Sequence, residues 1–255
     1  MDSFRQKVLI QSLFFLSIVL LLELMPNGFL PSPLEIFSTF LTQIQSERII
    51  TNLWHTATRV YLASFMALVL GVIIGIIDYF DPRVSYITNA IFYPTQFVSE
   101  AVLAILAIAA LGLNPAVVYI ITVLGIVPDV FIATQVGMNH LDERLLELGD
   151  IYGKSKLTTL RHLIIPQVIP YIFTGLIRAH ASAWEIVGTV EVFLALNGLG
   201  YLVQNLFRLL NLPELFGLAT VIIVSGLISD RVLRTFKTRI DRKYKNENDK
   251  DRRSL

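Results

Sequence analysis

The sequence predicts an all-α, polytopic membrane protein with about six transmembrane helices, and three observations carry that expectation. Residues of the AVILMFWYC set make up 54% of the 255-residue chain, and its mean hydropathy is +0.64. Charged residues amount to only 16%, against ~25% in soluble domains. The apolar residues also gather into runs close to the ~20 residues a helix needs to cross a bilayer. An ordinary soluble globule or a disordered chain does not fit this balance, and a formal net charge of +1 argues against a nucleic-acid partner. Cysteine is absent, which leaves no disulfide framework, thiolate nucleophile or Cys-based metal site.

The first expected span is Val8 to Met25. Arg5 and Lys7 precede it as they would a signal peptide, but the run is too long for a signal core, and Pro26, Asn27 and Gly28 follow where a cleavage site would need small residues. It is therefore read as a retained span. The second runs from about Ala57 to Ile77, with Gly71 and Gly75 four residues apart as a close-packing face. The third, from about Thr95 to Leu111, is rich in alanine. Asn114 as cap and Pro115 at the first helical position open the fourth, which continues to about Val136 with Gly125 and Pro128 inside it. The fifth is about Val168 to Phe193, and the sixth runs from near Pro213 to near Asp230.

Cationic side chains in short loops stay on the cytoplasmic side. With the N-terminus inside, 17 Lys and Arg fall in inner segments, whereas only Arg48 and Arg208 fall in outer loops. Both termini are thus expected in the cytoplasm of a cell in whose plasma or inner membrane the chain resides. The membrane unit covers 1–236. The remainder, 237–255, turns abruptly to Arg, Lys, Asp, Glu and Asn and reads as a solvated tail that frays into disorder, with attraction to anionic lipid as the alternative.

The inner segment 141–166 is patterned rather than merely polar. Leu141, Leu145, Leu148 and Ile151 recur at helical spacing, as do Leu157, Leu160 and Ile164. Two short amphipathic helices follow from this, with a turn at Gly153, Ser155 as cap of the second, and Pro166 and Pro170 at the entry to span five. Such a pair fits either a partner's groove or the bilayer surface.

The spacing of Glu147, Gly153, Leu163, Ile165 and Pro166 resembles the "EAA" signature, E-A-A-x3-G-x9-I-x-L-P, of binding-protein-dependent ABC importer permeases. Leu148 and Gly149 stand in place of its two alanines, and Leu163 and Ile165 are conservative exchanges. Asn197 to Leu202 resembles the GLGYL segment of the nitrate/sulfonate/taurine/bicarbonate subgroup, and Thr134 to Gly137 with Leu141 to Glu147 resembles the run that leads into its signature. The resemblance extends from about Trp54 to Arg239.

It implies the type I importer permease fold with a cytoplasmic coupling helix. The implied partners are two cytosolic ATPase subunits, a second permease subunit as a homodimer, and an extracytoplasmic solute-binding protein. It also implies that Arg144, Glu147, Gly153, Leu157, Leu160, Leu163 and Pro166 serve ATPase coupling, and that the cargo is a small solute such as a sulfonate, nitrate or bicarbonate. The chain has no G-x-x-x-x-G-K-[ST] loop, so it is read as no enzyme and as holding no cofactor, ATP being bound by the partner subunits.

Ionisable groups at bilayer depth are costly and thus mark candidates. Arg178 and Glu185, seven residues apart, share a helical face and with Glu100 are candidates for the translocation path, although structural pairing is an equal reading for the two acids. Asp129, next to Pro128, is expected to serve backbone groups freed by a kink. His180 reads as a satisfied interior histidine, and Trp184 as packing. Glu191, Gly198, Gly200 and Tyr201 lie toward the outer surface as candidates for binding-protein docking, although a plain turn would also need the glycines. Trp54, His55 and Arg59 read as an outer interface anchor. An ion-coupled secondary transporter is the main alternative, but no internal repeat of the kind such proteins carry is found.

Overall fold

The computed structural model describes residues 31–95, 97–112, 114–142 and 156–253. Helices α1 (Pro33–Gln43), α2 (Glu47–Phe80), α3 (Pro82–Thr95), α4 (Glu100–Leu111), α5 (Ala116–Asn139), α6 (Lys156–Thr159), α7 (Ile165–Leu194), α8 (Leu199–Arg208) and α9 (Leu212–Arg253) follow one another. The expected all-helical membrane architecture is present. The expected count of about six is not confirmed: among the described residues, four segments are long and apolar enough to span, namely α2, α5, 160–194 and Leu212–Ile240. The run Val8 to Met25 lies outside the described residues.

The expected third span is where sequence and structure part. Its first residue ends α3, a turn follows in which Phe97 N–H donates to Pro94 O and Val98 N–H to Thr95 O, and only Glu100–Leu111 is the helix α4. At 12 residues, α4 is about 18 Å long, well short of the ~30 Å hydrocarbon core. Proline near the end of α3 and the polar Thr95 and Ser99 interrupt what composition alone reads as continuous. Elsewhere the caps act as their chemistry dictates. Asn114 Oδ1 accepts from Ala116 N–H at 2.9 Å, and Asp81 Oδ1 accepts from Arg83 N–H at 2.9 Å with Pro82 opening α3.

The core is the packing of α2 against α5 and α5 against α7. On α2 the small residues Ala63, Ala67, Gly71 and Gly75 repeat every four positions and are buried. A Cβ on Gly71 would lie 2.7 Å from Val130 Cβ, and one on Gly75 would lie 2.8 Å from Thr134 Cβ, so the glycines are what lets these backbones approach. In a bilayer this close packing, rather than apolar burial, holds helices together. The large exposed side chains fit the same solvent: Phe65, Ile73, Leu124, Ile223 and Leu227 lie on outer faces where lipid or another subunit would cover them.

Buried polar groups cross-link the same helices. Asp78 on α2 accepts from Thr88 on α3 and, at 2.9 Å, from Gln135 Nε2 on α5. His180 on α7 is 1% exposed. Its Nδ1 lies 3.0 Å from Ser64 Oγ on α2 and its Nε2 lies 2.6 Å from Ser229 Oγ on α9. Ser64 gives its proton to the Val60 carbonyl, which leaves His180 Nδ1 as the donor and Nε2 as acceptor for Ser229 and Trp184. His180 is thus a satisfied interior group joining three helices.

Candidate functional site

Three places carry the residues singled out by sequence: the base of 141–166, one face of α7, and the outer loop after α7.

At the base, Arg144, Glu147 and Gly153 lie outside the described residues, as do the Ser155 cap and the first amphipathic helix. Leu157 belongs to α6, but its side chain is likewise outside them. What is described is the return into the membrane. Between α6 and α7 the helix widens to a π turn over Leu160–Ile164, and Ile165 N–H bonds Leu160 O. Pro166 supplies the cause, because it has no N–H for the i−4 carbonyl and its ring crowds that carbonyl. Leu160 packs on a cluster of Met138, Ile164, Val168 and Ile172, while Arg161 and His162 are exposed. Leu163 and Pro166 are half-buried. Gln167 closes the base: its Nε2 donates to Leu163 O at 3.0 Å, and its Oε1 accepts from Asp142 N–H at 3.1 Å. The sequence reading missed Gln167, although a polar residue between Pro166 and Pro170 at a membrane entry marks it.

On α7, Thr174, Arg178, Ala181 and Glu185 recur at helical spacing and are all exposed, with Ser182 half-buried among them. Arg178 and Glu185 therefore share a face, as expected. Glu100 opens α4, and its side chain is outside the described residues. The expectation for Asp129 is corrected: its carboxylate does not serve freed backbone groups but takes Arg178 Nε at 2.8 Å and Ser182 Oγ at 3.4 Å. A guanidinium one turn or two from an acid on a packed neighbour outcompetes backbone as partner.

The depth of this pair decides what it faces. Arg178 stands 13 residues into α7 and 16 from its end, about 20 and 24 Å along the axis. Asp129 is similarly central in α5. Yet the Arg178 side chain is 74% exposed. A charge at mid-depth open to lipid is costly, so this face of α7 borders water or another protein.

The outer loop is a buried electrostatic clamp. Glu191, near the end of α7, is 0% exposed. It accepts from Arg59 Nη1 at 2.5 Å, Thr56 Oγ1 at 2.8 Å and Gly200 N–H at 3.0 Å. Arg59 also donates to Asn197 through the backbone and side-chain oxygens. Gly198 N–H bonds Asn52 Oδ1 and Leu199 N–H bonds Thr56 Oγ1. Glu191 and Thr56 thus cap α8 from other helices, placing a carboxylate where the helix dipole favours it. Gly198 has φ +109°, and a Cβ there would meet the Glu191 carboxylate at 2.3 Å. Of the candidates for docking, Glu191, Gly198 and Gly200 are buried within the chain and Tyr201 is half-buried, while Phe207, Arg208 and Leu209 are exposed beside them. Arg59 is an ion-pair member rather than an interface anchor, while Trp54 is exposed as an anchor would be.

With this geometry in hand, comparison with known proteins gives a consistent result. The family described as "Binding-protein-dependent transport system inner membrane component" matches residues 67–246. The chain is 25% identical over 224 residues to the taurine transport system permease protein TauC of Escherichia coli, covering 86% of this chain and 82% of that one. It is 23% identical over 211 residues to a putative aliphatic sulfonates transport permease protein of Bacillus subtilis, covering 83% and 76%. A bicarbonate transport system permease protein of Synechococcus elongatus is 22% identical over 183 residues, covering 70% and 66%. In fold it is similar to a solved bacterial ABC transporter involved in import of the acidic polysaccharide alginate, with a TM-score of 0.64 and 14% identity over 94% of this chain and 98% of that one. A methionine ABC transporter captured facing inward gives 0.64 and 14% over 78% and 99%.

Proposed function

Because the chain belongs to the family of binding-protein-dependent transport system inner membrane components, we propose that it is the permease subunit of an ATP-driven importer for a small solute. Two copies form the pathway, two cytosolic ATPase subunits dock on 141–166, and an extracytoplasmic binding protein delivers the cargo. ATP is bound and hydrolysed by the partner subunits. Both termini lie in the cytoplasm. Sulfonates, nitrate and bicarbonate are the favoured cargo class, since relatives are named for taurine, aliphatic sulfonates and bicarbonate.

One observation carries the reading. The exposed mid-depth pair Arg178–Asp129 sits on α7 and α5, the two helices that flank 141–166. A displacement of that segment by a closing ATPase dimer is therefore delivered to the helices that bear the pathway charges. Gln167 joins Asp142, at the exit from α5, to Leu163, at the entry to α7, so a push there reaches both helices. The ion-coupled alternative needs acids at depth, for which the sequence offers Glu100, Asp129 and Glu185; Asp129 is paired with Arg178 and Glu185 is exposed, so it is the family match that favours the ATP-driven reading.

The test is Gly153→Trp. A bulky side chain at the docking elbow is expected to lower uptake at least about tenfold while ATP hydrolysis persists uncoupled, or to prevent recovery of the complex with its ATPase. Uptake measured beside complex yield checks this. Normal uptake at normal yield contradicts it.

A further inference from the structure

Resting on that reading, the geometry points to a specific waypoint for the cargo: we propose that the terminal amino groups of Arg178 hold a small oxyanion in transit, and that Asp129 keeps the hold weak. Asp129 engages only Nε of the guanidinium. Nη1 and Nη2 have no partner among the described residues, and the side chain is largely exposed. A guanidinium offers its donors as a planar fork that matches carboxylate, carbonate or sulfonate oxygens. With Nε tied to α5, the fork is fixed in direction while its open end faces the pathway.

Compensation by Asp129 is what makes the site one of passage. An unneutralised arginine at mid-depth would retain an anion, whereas conduction needs a site that binds well enough to admit and loosely enough to release. The way onward is also cationic. Lys237 Nζ reaches Thr174 Oγ1 at 2.8 Å, one turn nearer the cytosol than Arg178 on the same face. Lys237 has no acidic partner among the described residues, while Arg234 nearby is paired with Asp230. Glu185 lies seven residues toward the outer end, about 10 Å along the axis, on the side from which cargo would arrive. Its charge adds to that of Asp129 in keeping the hold on an anion at Arg178 weak.

The experiment uses the complete transporter, with binding protein and ATPase subunits, in proteoliposomes. The probes bearing an oxyanion group are labelled ethanesulfonate, nitrate, bicarbonate and the zwitterion taurine, and the cation choline is the probe without one. For the anion that is carried, Arg178→Gln is expected to lower turnover at least about tenfold, the loss expected for a charge-assisted pair of hydrogen bonds, with KM for loaded binding protein unchanged. Arg178→Lys, which keeps charge without the fork, is expected in between. Asp129→Asn is expected to act in the opposite sense on affinity: direct binding of the same anion to the transporter without binding protein tightens, and turnover falls because release slows. A structural role alone would move complex yield and KM and would not split the two variants this way.

Full turnover in Arg178→Gln, or ATP-dependent uptake of choline and none of the anions, overturns the waypoint and leaves the importer reading intact. Absence of ATP-dependent uptake of every probe by the unaltered transporter overturns the importer reading itself. If Asp129→Asn fails to assemble, the order of wild type, Arg178→Lys and Arg178→Gln decides alone.

Discussion

Replacing Arg59 with Met is expected to destabilise the protein by about 3–5 kcal/mol, the usual cost of removing one partner of a buried ion pair. The reason lies in what remains. Glu191 is fully buried, and without the guanidinium its carboxylate keeps only Thr56 and Gly200 as donors. Asn197 loses both of its bonds to Arg59 as well, so the loop that starts α8 is released together with the charge. The matching change, Glu191→Leu, leaves Arg59 buried and uncaps α8. The double variant is expected to be less damaged than the sum of the singles, because no unpaired charge is left. Thermal unfolding of the purified complex in detergent checks all three. Additive losses would show that the two residues do not act as a pair.

Gly175→Leu is expected to abolish assembly of a functional protein. A Cβ at Gly175 would lie 2.5 Å from Ala133 Cβ and 3.0 Å from the Asp129 carbonyl oxygen. The obstacle is the backbone and first side-chain carbon of α5, which have no rotamer to escape into. Overpacking commonly costs ~1–3 kcal/mol, and here two long helices must separate to admit the branched side chain, so the expected loss is at or beyond that range. Separation would also move Asp129 away from Arg178, one turn above Gly175 on α7. Gly175→Ala is expected to give a partly assembled transporter with reduced turnover. Membrane-inserted yield and uptake measured together test this, and normal yield with normal uptake for the leucine variant would contradict the packing described.

Much of the fold was legible because hydrophobic length and small-residue spacing are local properties. The runs that became α2, α5, α7 and α9 were long enough to read directly, Gly71 and Gly75 announced their packing face, and Asn114 with Pro115 announced a helix start. The shortness of α4 was not legible by composition, since the turn ahead of Ser99 is a modest interruption at the start of an apolar stretch. The pairing of charges was the larger omission. Arg59 and Glu191 are 132 residues apart in sequence, and nothing local links them. A simple rule was available nonetheless: an arginine within an apolar run needs an acid at the same depth, and the chain offers few. Applied to Arg59 and Arg178, it singles out a short set of acids that includes Glu191 and Asp129. It would also have moved Glu191 from a surface contact to a buried clamp. The resemblance at 141–166 was legible through its spacing, because such a signature is a linear motif whose residues need no distant partner to be recognised.

The candidate pathway sits between these cases. Periodicity placed Arg178 and Glu185 on one face of a helix, but only the tertiary packing of α5 on α7 shows Arg178 compensated and still open. That combination of neutralised charge and exposure at mid-depth is the ground on which the face is proposed for transport.

The most direct test of the central claim is solute uptake by cells carrying this chain with its ATPase subunits and binding protein, measured under ATP depletion and, separately, with a protonophore while ATP is maintained. The account predicts that uptake stops when ATP is withdrawn and continues with the protonophore. Uptake that survives ATP depletion and collapses with the protonophore would contradict it.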